Sequence, residues 1–474
     1  MQAFSKQVWT QKRPGFLIRM LSIILMAILV GCSQPDRKPA VSASNPTPIS
    51  TPTAIPALDL VHNTVSLSIM ADVVYAGTQE QGVYAFNARD GKKIWQADIT
   101  GIVSWQPTVA DGIIYVTSST GEGGSVYVSA LRAHDGKLLW RYHSDMNMNL
   151  AGVENGMVYL STLAQVVALR ATDGIEVWHV DNSADQALLV EKDVVYLNQV
   201  SSFSALNARN GVVLWTHQLA DRTDVLKSSN GTVYICCDKG KFAALSARDG
   251  RVQWSQTIDA TMALTPQIVN GIVYLQATKI NLGDSTTPTA STSFLPLFAS
   301  TGNMLKGARQ TQSALPLKQG QTSLYALRAN DGKVLWKQMG KSGNDGFANW
   351  FQVEQGIVYS MTTTSTPTST TSTLVALQSE SGQPLWQQTN KIAATPYSAC
   401  IRDGVIYRLG AQTVDALSAR DGKPRWSYQL AGNAYDLPIA SAQNLYVGTD
   451  NGLVYALNPK NGQLQWRYNT HSHA

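Results

Sequence analysis

Residues 85–95 read AFNARDGKKIW, and residues 130–140 repeat the pattern as ALRAHDGKLLW. Seven more copies follow, at residues 168–178, 205–215, 244–254, 326–336, 376–386, 416–426 and 456–466. Each copy ends in a tryptophan: Trp95, Trp140, Trp178, Trp215, Trp254, Trp336, Trp386, Trp426 and Trp466. Successive tryptophans are 37 to 45 residues apart, except for two intervals of 82 and 50 residues. The chain therefore contains a tandem repeat with a period of about forty residues.

Each repeat also carries the signals of a small antiparallel sheet. Upstream of the motif stands a turn followed by strand-forming residues, as in NGMVY at 155–159 and DGVIY at 403–407. The motif itself holds a strand ending in Ala-Leu, an Asp/Asn-Gly turn and a strand ending at the tryptophan. No segment has the length and 3.6-residue periodicity of a helix. About four strands per repeat predict an all-β fold, a single β-propeller in which every repeat is one blade.

The motif residues have separate predicted roles in such a blade. The Asp/Asn-Gly pair makes a tight hairpin, because glycine accepts a positive φ that other residues resist. Alanine leaves room for a bulky neighbour, and the tryptophan is expected to dock between consecutive blades. Burying one indole contributes a gross stabilisation of about 4 to 6 kcal/mol.

These motifs, together with the NG-x-V-Y strands, resemble the PQQ-like repeat family, whose tryptophan-docking motif is A-L-x-x-x-[DN]-G-x-x-x-W. The resemblance implies a propeller over residues 59–474. The family usually has eight blades, whereas this sequence has nine repeats with whole repeats at both ends. Eight or nine blades, and the manner of ring closure, both stay open at this point.

Two Ser/Thr-rich insertions interrupt the repeat, at about residues 280–323 and 362–373. Both fall in the same hairpin of neighbouring repeats. We interpret them as flexible loop insertions rather than specific binding elements, because loop lengthening has only a slowly rising entropic cost.

The N-terminus has the features of a secretory signal. A basic start precedes the apolar run MLSIILMAILV at 20–30, which is too short to cross a bilayer comfortably. The following LVGC resembles the lipobox of bacterial lipoproteins. That resemblance implies that residues 1–31 are a signal peptide and that Cys32 becomes lipidated, placing the protein on the outer side of a bacterial membrane. The alternative is an uncleaved membrane anchor with an incidental cysteine.

Residues 32–58 follow as a tether containing six prolines and few large apolar side chains. Such a segment cannot bury enough surface to offset its ordering entropy, and it would reach about 75 Å when extended. Four of the basic residues precede Cys32; the remaining chain carries 33 basic and 32 acidic residues. This balance, without a dense Lys/Arg stretch, argues against nucleic-acid binding.

One local feature suggests redox chemistry. Cys236 and Cys237 resemble the adjacent-cysteine element of quinoprotein alcohol dehydrogenases, which implies pyrroloquinoline quinone as a cofactor. The following KGKF departs from that family's V-N-R-G element, and no positions match its metal-binding and catalytic residues. We therefore predict no cofactor, and interpret the pair as half-buried strand residues. With Cys32 lipidated, Cys400 has no evident partner, so no disulfide framework is expected.

Other chemical signals are weak. No HExxH motif or closely spaced Cys/His set predicts a metal site. The recurring motif aspartates are turn residues first: Asp90, Asp135, Asp173, Asp249, Asp331 and Asp421. Trp105 and Trp350 lie outside the docking motif, each just ahead of a predicted innermost strand. They are candidate partner or ligand contacts, with ordinary packing as the alternative.

These observations predict a non-catalytic, membrane-anchored scaffold that binds other cell-envelope proteins or peptides. The layout resembles that of the propeller lipoprotein of the outer-membrane β-barrel assembly machinery. Recognition could use loops at one face of the ring or strand addition at blade edges. The alternatives are a quinone-dependent dehydrogenase and an extracytoplasmic ligand sensor.

Overall fold

Nine antiparallel sheets follow one another along the chain, and each is made from one contiguous stretch of sequence. The computed structural model describes residues 64–471, apart from 80–81, 122–123, 163, 182–187, 200–201, 220–223, 239, 261, 264, 281–319, 340–346, 367–368, 393–397, 411 and 435. The predicted all-β propeller of four-stranded blades is confirmed, with nine blades in this part of the chain. The predicted signal peptide, Cys32 and the tether lie outside the described residues.

The first five blades each run from an innermost strand to an outer strand, in sequence order. Their strands are Val65–Met70, Val73–Thr78, Gly82–Asn87 and Lys93–Ala97 in blade 1; Ile102–Val103 with Thr108–Ala110, Ile113–Ser119, Val126–Arg132 and Leu138–Ser144 in blade 2; Met148–Glu154, Met157–Thr162, Gln165–Arg170 and Glu176–Asp181 in blade 3; Leu188–Glu191, Val194–Asn198, Ser202–Asn207 and Val213–Gln218 in blade 4; and Asp224–Ser229, Thr232–Asp238, Lys241–Ser246 and Val252–Thr257 in blade 5.

The last four blades keep the same order, so that the outer strand of each is the edge of its sheet. Their strands are Met262–Ala263 with Gln267–Val269, Ile272–Ile280, Gly320–Arg328 and Val334–Met339 in blade 6; Phe347–Glu354, Ile357–Thr366, Ser369–Gln378 and Pro384–Ile392 in blade 7; Ala399–Arg402, Val405–Leu409, Thr413–Ser418 and Pro424–Gln429 in blade 8; and Ile439–Ala440, Leu445–Gly448, Leu453–Leu457 and Leu464–Asn469 in blade 9.

Proline interrupts the innermost strand in three blades. Pro107 and Pro266 stand in the breaks of blades 2 and 6, and Pro438 separates Ile439–Ala440 from the isolated bridge that Ala434 makes with Thr449. Proline has no N–H to donate to the strand ladder, so a break at each of these positions is expected.

The two turns of a blade use glycine differently. Between the first and second strands, Asn155 (φ 52°) and Gly156 (φ 74°) form a two-residue turn with both residues in the left-handed region, as type I′ hairpins require. The motif turn is wider: Gly91 closes a four-residue loop and donates its N–H to Asn87 O at 2.9 Å. The tight hairpin expected for the motif is therefore found at the other turn of the blade.

The prediction of a flexible loop at residues 362–373 is wrong. The stretch continues two strands of blade 7, with Thr362 opposite Thr373 and Thr366 opposite Ser369. Threonine favours strands because its branched side chain packs well on a pleated surface, and the outer strand extends alongside as far as Ile392. The other insertion interrupts the corresponding hairpin of blade 6, between Ile280 and Gly320, and residues 281–319 lie outside the described part.

The ring closes between blade 9 and blade 1 without any exchange of strands. All four strands of blade 9 come from the C-terminal repeat. Val65 N–H in blade 1 donates to Thr449 O in blade 9 at 3.2 Å, and Tyr84 donates its hydroxyl to Thr470 O at 3.0 Å. The side chains of both blades share one buried cluster. These contacts show how the ring closes, which the sequence did not decide.

Candidate functional site

The motif tryptophans make the same contact at every junction between blades. Each indole Nε1–H donates to a backbone carbonyl of the next blade at 2.8 to 3.1 Å. The acceptors follow the Ala-Leu-x of the next motif: Ala133, Ala171, Ala208, Ala247, Ala329, Ser379, Ala419, Pro459 and, for Trp466, Ala88. Burying an indole requires such a partner, so the motif supplies both the ring and its acceptor.

The motif glycine lies directly under the docked indole. A Cβ built on Gly91 would come within 3.0 Å of the Trp466 ring, and the same holds for the motif glycine at each of the other eight junctions. Gly91 also has a φ of 70°, a region that side chains disfavour. Glycine is thus required for two independent reasons.

The tyrosine of the x-V-Y strand supports this junction, a role that the sequence analysis missed. Tyr359 packs beside Trp386 with ring centroids 6.1 Å apart, and both donate to Ala419 O. Burial raises the pKa of Tyr359 to about 12, so its hydroxyl keeps its proton at neutral pH. This role could have been predicted from the sequence, because a tyrosine recurs after NG-x-V in successive repeats.

The six motif aspartates all act as turn residues. Each accepts, through Oδ1, a hydrogen bond from the backbone N–H two residues ahead, at 3.0 to 3.3 Å. In Asp90 this bond from Lys92 is the main cause that lowers the pKa of the carboxyl. Their exposed carboxylates are therefore engaged in local backbone structure.

The two candidate contact tryptophans lie within broken or bulged innermost strands, not ahead of them as expected. Trp105 is half-buried in the break of the blade 2 strand. Trp350 stands inside Phe347–Glu354 beside a register shift, is 9% exposed and packs with Tyr359, Met361 and Ile401. Trp350 thus serves interblade packing in this structure, and of the two tryptophans Trp105 keeps more exposed surface.

Cys236 is fully buried between blades 5 and 6, so the prediction that it is a half-buried strand residue is wrong. It is disulfide-bonded and fully buried in a cluster with Phe242 and Trp254, facing the second and third strands of blade 6. Among the described residues, no group of three or more His, Cys, Asp or Glu side chains could hold a metal ion. Cys400 is buried and reduced.

Glutamine side chains link neighbouring innermost strands, which the sequence analysis did not anticipate. Gln267 in blade 6 donates to Phe351 O at 2.9 Å and accepts from Val353 N–H at 2.7 Å, both in blade 7. Gln106 in blade 2 donates to Leu67 O in blade 1. These amides satisfy backbone groups at strand edges that would otherwise need water.

The outer edges of the blades are not equally protected against strand pairing. Seven outer strands contain a charged residue or a proline, the usual devices that block edge-to-edge association. The outer strands of blades 4 and 5 contain neither. Blade 4 also exposes Val212, Val213 and Leu214, at 58%, 54% and 50%. This edge, which we call the blade 4 edge, is the least protected of the nine.

The part of the chain that the structure describes contains no helix with the length and apolarity to cross a bilayer.

A family model described as outer membrane protein assembly factor BamB matches residues 79–225, 201–305 and 320–474. The chain belongs to this family. Its relatives include BamB of Yersinia pestis, 27% identical over 186 residues that cover 39% of this chain and 41% of the relative. BamB of Xanthomonas campestris is 32% identical over 264 residues, which cover 50% of this chain and 64% of the relative. The matches thus span less than two thirds of these BamB proteins.

Among solved structures, the crystal structure of BamB from Moraxella catarrhalis is 15% identical and covers 75% of this chain and 94% of its own, with a TM-score of 0.47.

Proposed function

We propose that this protein is a non-catalytic scaffold of the bacterial envelope that binds partner proteins during outer-membrane protein assembly. The observation that carries the proposal is the BamB family match, which extends over nearly the whole propeller. The relatives with significant identity carry the same description. Lipidation of Cys32 would tether the ring, and the proline-rich segment would set its distance from the membrane.

The blade 4 edge is the surface we assign to partner binding. An unpaired outer strand offers regularly spaced N–H and C=O groups, which match the backbone of an extended peptide. Val213 and Leu214 would add apolar contacts on alternate sides of such a peptide. The absence of charge from Val213–Gln218 favours a segment with alternating apolar residues over a charged one.

Crosslinking in intact cells tests this assignment. A photo-reactive residue in place of Leu214 should capture a defined envelope protein. The matched control is Leu464, which is 41% exposed at an outer strand that contains Arg467. We expect capture at Leu214 to exceed capture at Leu464 several-fold, and Leu214→Lys to remove it. Equal capture at both positions would refute the edge assignment while leaving the family assignment intact.

The membrane anchor is tested separately. Mass spectrometry of the membrane-extracted protein should show an N-terminal lipidated Cys32, and Cys32→Ala should move the protein out of the washed membrane fraction. An intact, unmodified N-terminus would end the lipoprotein hypothesis.

A quinone-dependent dehydrogenase is the second candidate, on the single observation that Cys236 is disulfide-bonded. Incubation with the quinone and calcium, followed by a scan for a bound chromophore and for alcohol-dependent dye reduction, separates the two functions. The scaffold proposal expects neither signal.

A further inference from the structure

A cleft of about 440 Å³, lined by both polar and apolar groups, opens between blades 7 and 8. Blade 7 lines it with Gln388, Thr389 and Asn390, and blade 8 with Arg408, Asp415 and Ser427. Leu417, Pro424 and Trp426 complete the wall. The volume lies within the range typical of small-molecule sites, about 300 to 1,000 Å³.

Blade 8 departs from the other blades at this cleft. Arg408 and Asp415 are cross-strand partners on its second and third strands. At the corresponding pair the other eight blades have no charged residue; their pairs are Ala76 and Tyr84, Val116 and Ser129, Leu160 and Val167, Leu197 and Ser204, Ile235 and Ala243, Leu275 and Tyr325, Ser360 and Val375, and Val447 and Tyr455. The propeller fold therefore does not require an ion pair here.

The pair is held in place by hydrogen bonds. Arg408 Nη2 lies 2.9 Å from Asp415 Oδ2, and Ser427 Oγ donates to Asp415 Oδ1 at 2.8 Å. Across the cleft, Arg408 Nη1 donates to the Asn390 amide oxygen at 2.8 Å in the amide orientation that satisfies both groups. The Arg408 and Asp415 side chains are only 13% and 24% exposed.

A largely buried ion pair is not expected to stabilise the fold. Desolvating an ion pair often costs more than the attraction returns, and apolar replacements of similar volume are frequently neutral or stabilising. Eight blades use such uncharged residues. The exception at blade 8 is thus better explained by recognition than by folding.

We propose that this cleft binds a neutral saccharide of one or two rings. The Arg408–Asp415 pair has no net charge, so the cleft does not select for an ion. Its guanidinium, carboxylate, amide and hydroxyl groups offer both donors and acceptors, as a polyhydroxylated ligand requires. Pro424 supplies exposed apolar surface for the C–H face of a sugar ring, and the largely buried Leu417 and Trp426 line the cleft beside it. The inference is independent of the scaffold function.

Binding is tested on the purified full chain by calorimetry and by ligand-observed NMR. The panel contains glucose, galactose, mannose, N-acetylglucosamine, maltose and chitobiose, with glucuronate and glucose 6-phosphate as charged comparators. We expect at least one neutral sugar to bind with a millimolar or lower Kd, and the charged comparators to bind at least tenfold more weakly. Absence of binding by every neutral sugar, or equal binding of the charged ones, overturns the proposal.

Variants locate the site. Asp415→Asn and Ser427→Ala should each weaken binding of the neutral sugar at least tenfold. Ser204→Ala changes the position in blade 4 that corresponds to Asp415 and should leave binding unchanged. Thr389→Val changes the exposed side of the cleft and leaves the ion pair intact. This variant tests the site even if Asp415→Asn or Ser427→Ala fails to fold. Unchanged affinity in Thr389→Val together with the folded cleft variants places the sugar elsewhere and refutes the site.

Discussion

The junction between blades 9 and 1 and the junction between blades 7 and 8 use the same motif with different reinforcement. At the first, Trp466, Tyr446 and Asn444 all donate to Ala88 O, at 3.1, 2.8 and 2.9 Å. At the second, the donors to Ala419 O among the described residues are Trp386 and Tyr359. Trp386 is only partly buried, and the cleft lies alongside. Blades 7 and 8 are joined by the chain, whereas blades 9 and 1 are not. Where covalent connection is missing, side-chain bonds take its place.

The largest expected effect comes from removing the indole at ring closure. Trp466→Ala should lower the free energy of unfolding by about 3 to 5 kcal/mol, because it deletes a buried ring and leaves a cavity. Trp386→Ala should cost less, since that side chain is already partly exposed. Chemical denaturation of both variants measures the difference. Equal losses would show that the two junctions are energetically alike.

A smaller effect is expected from the glycine under that indole. Gly91→Ala combines a left-handed backbone, worth about 1 to 2 kcal/mol, with a clash against the Trp466 ring. Gly112→Ala is the matched control, because its φ is 75° and no atom lies within 4 Å of the added Cβ. Thermal unfolding should rank Gly91→Ala as clearly the more destabilised. The reverse order would mean that Trp466 moves aside freely.

The shared acceptor gives a finer test. In Tyr446→Phe, Ala88 O keeps two donors, so we expect a loss near the lower end of the usual range, about 0.5 kcal/mol. In Tyr359→Phe, Ala419 O keeps one donor, and a loss of about 1 kcal/mol is expected. Urea denaturation of the two variants measures both losses in the free energy of unfolding. A larger loss for Tyr446→Phe would contradict the reinforcement described for the closing junction.

The smallest effect concerns Asp436, which follows blade 8 and forms a side-chain hydrogen bond with Ser66 of blade 1. Burial raises the pKa of its carboxyl, while a hydrogen bond from Ser66 lowers it. The folded state then binds a proton more tightly than the unfolded state. The contribution of this carboxyl to the free energy of unfolding therefore falls as pH rises from its unfolded pKa through its folded pKa. Asp436→Asn should therefore gain stability at pH 7 and show a flatter stability profile above pH 4. An unchanged profile would show that Asp436 does not titrate in this way.

The sequence predicted those parts of the molecule that depend on local periodic signals. The nine Ala-Leu-x-x-x-[Asp/Asn]-Gly-x-x-x-Trp motifs were sufficient for the fold and the blade order, since each encodes a strand, a turn and a strand. The contact of Arg408 with Asn390 and the Gln267 link were not predictable, because they depend on which residues meet across a blade junction. The strands at 362–373 were missed because a low-complexity composition concealed their strand propensity. The tryptophan at 350 was misjudged because the innermost strand begins earlier than the pattern indicated.

Closure without strand exchange has a consequence for how such rings change in size. Every junction depends on the same indole, carbonyl and glycine. A duplicated repeat therefore supplies the indole for the junction on one side and the carbonyl and glycine for the junction on the other. Growth from eight to nine blades then needs only a slight change of angle at each junction, and no redesign of the ends. For the same reason, a circularly permuted chain that begins at blade 5 and ends with blade 4 should fold into the same nine-bladed propeller.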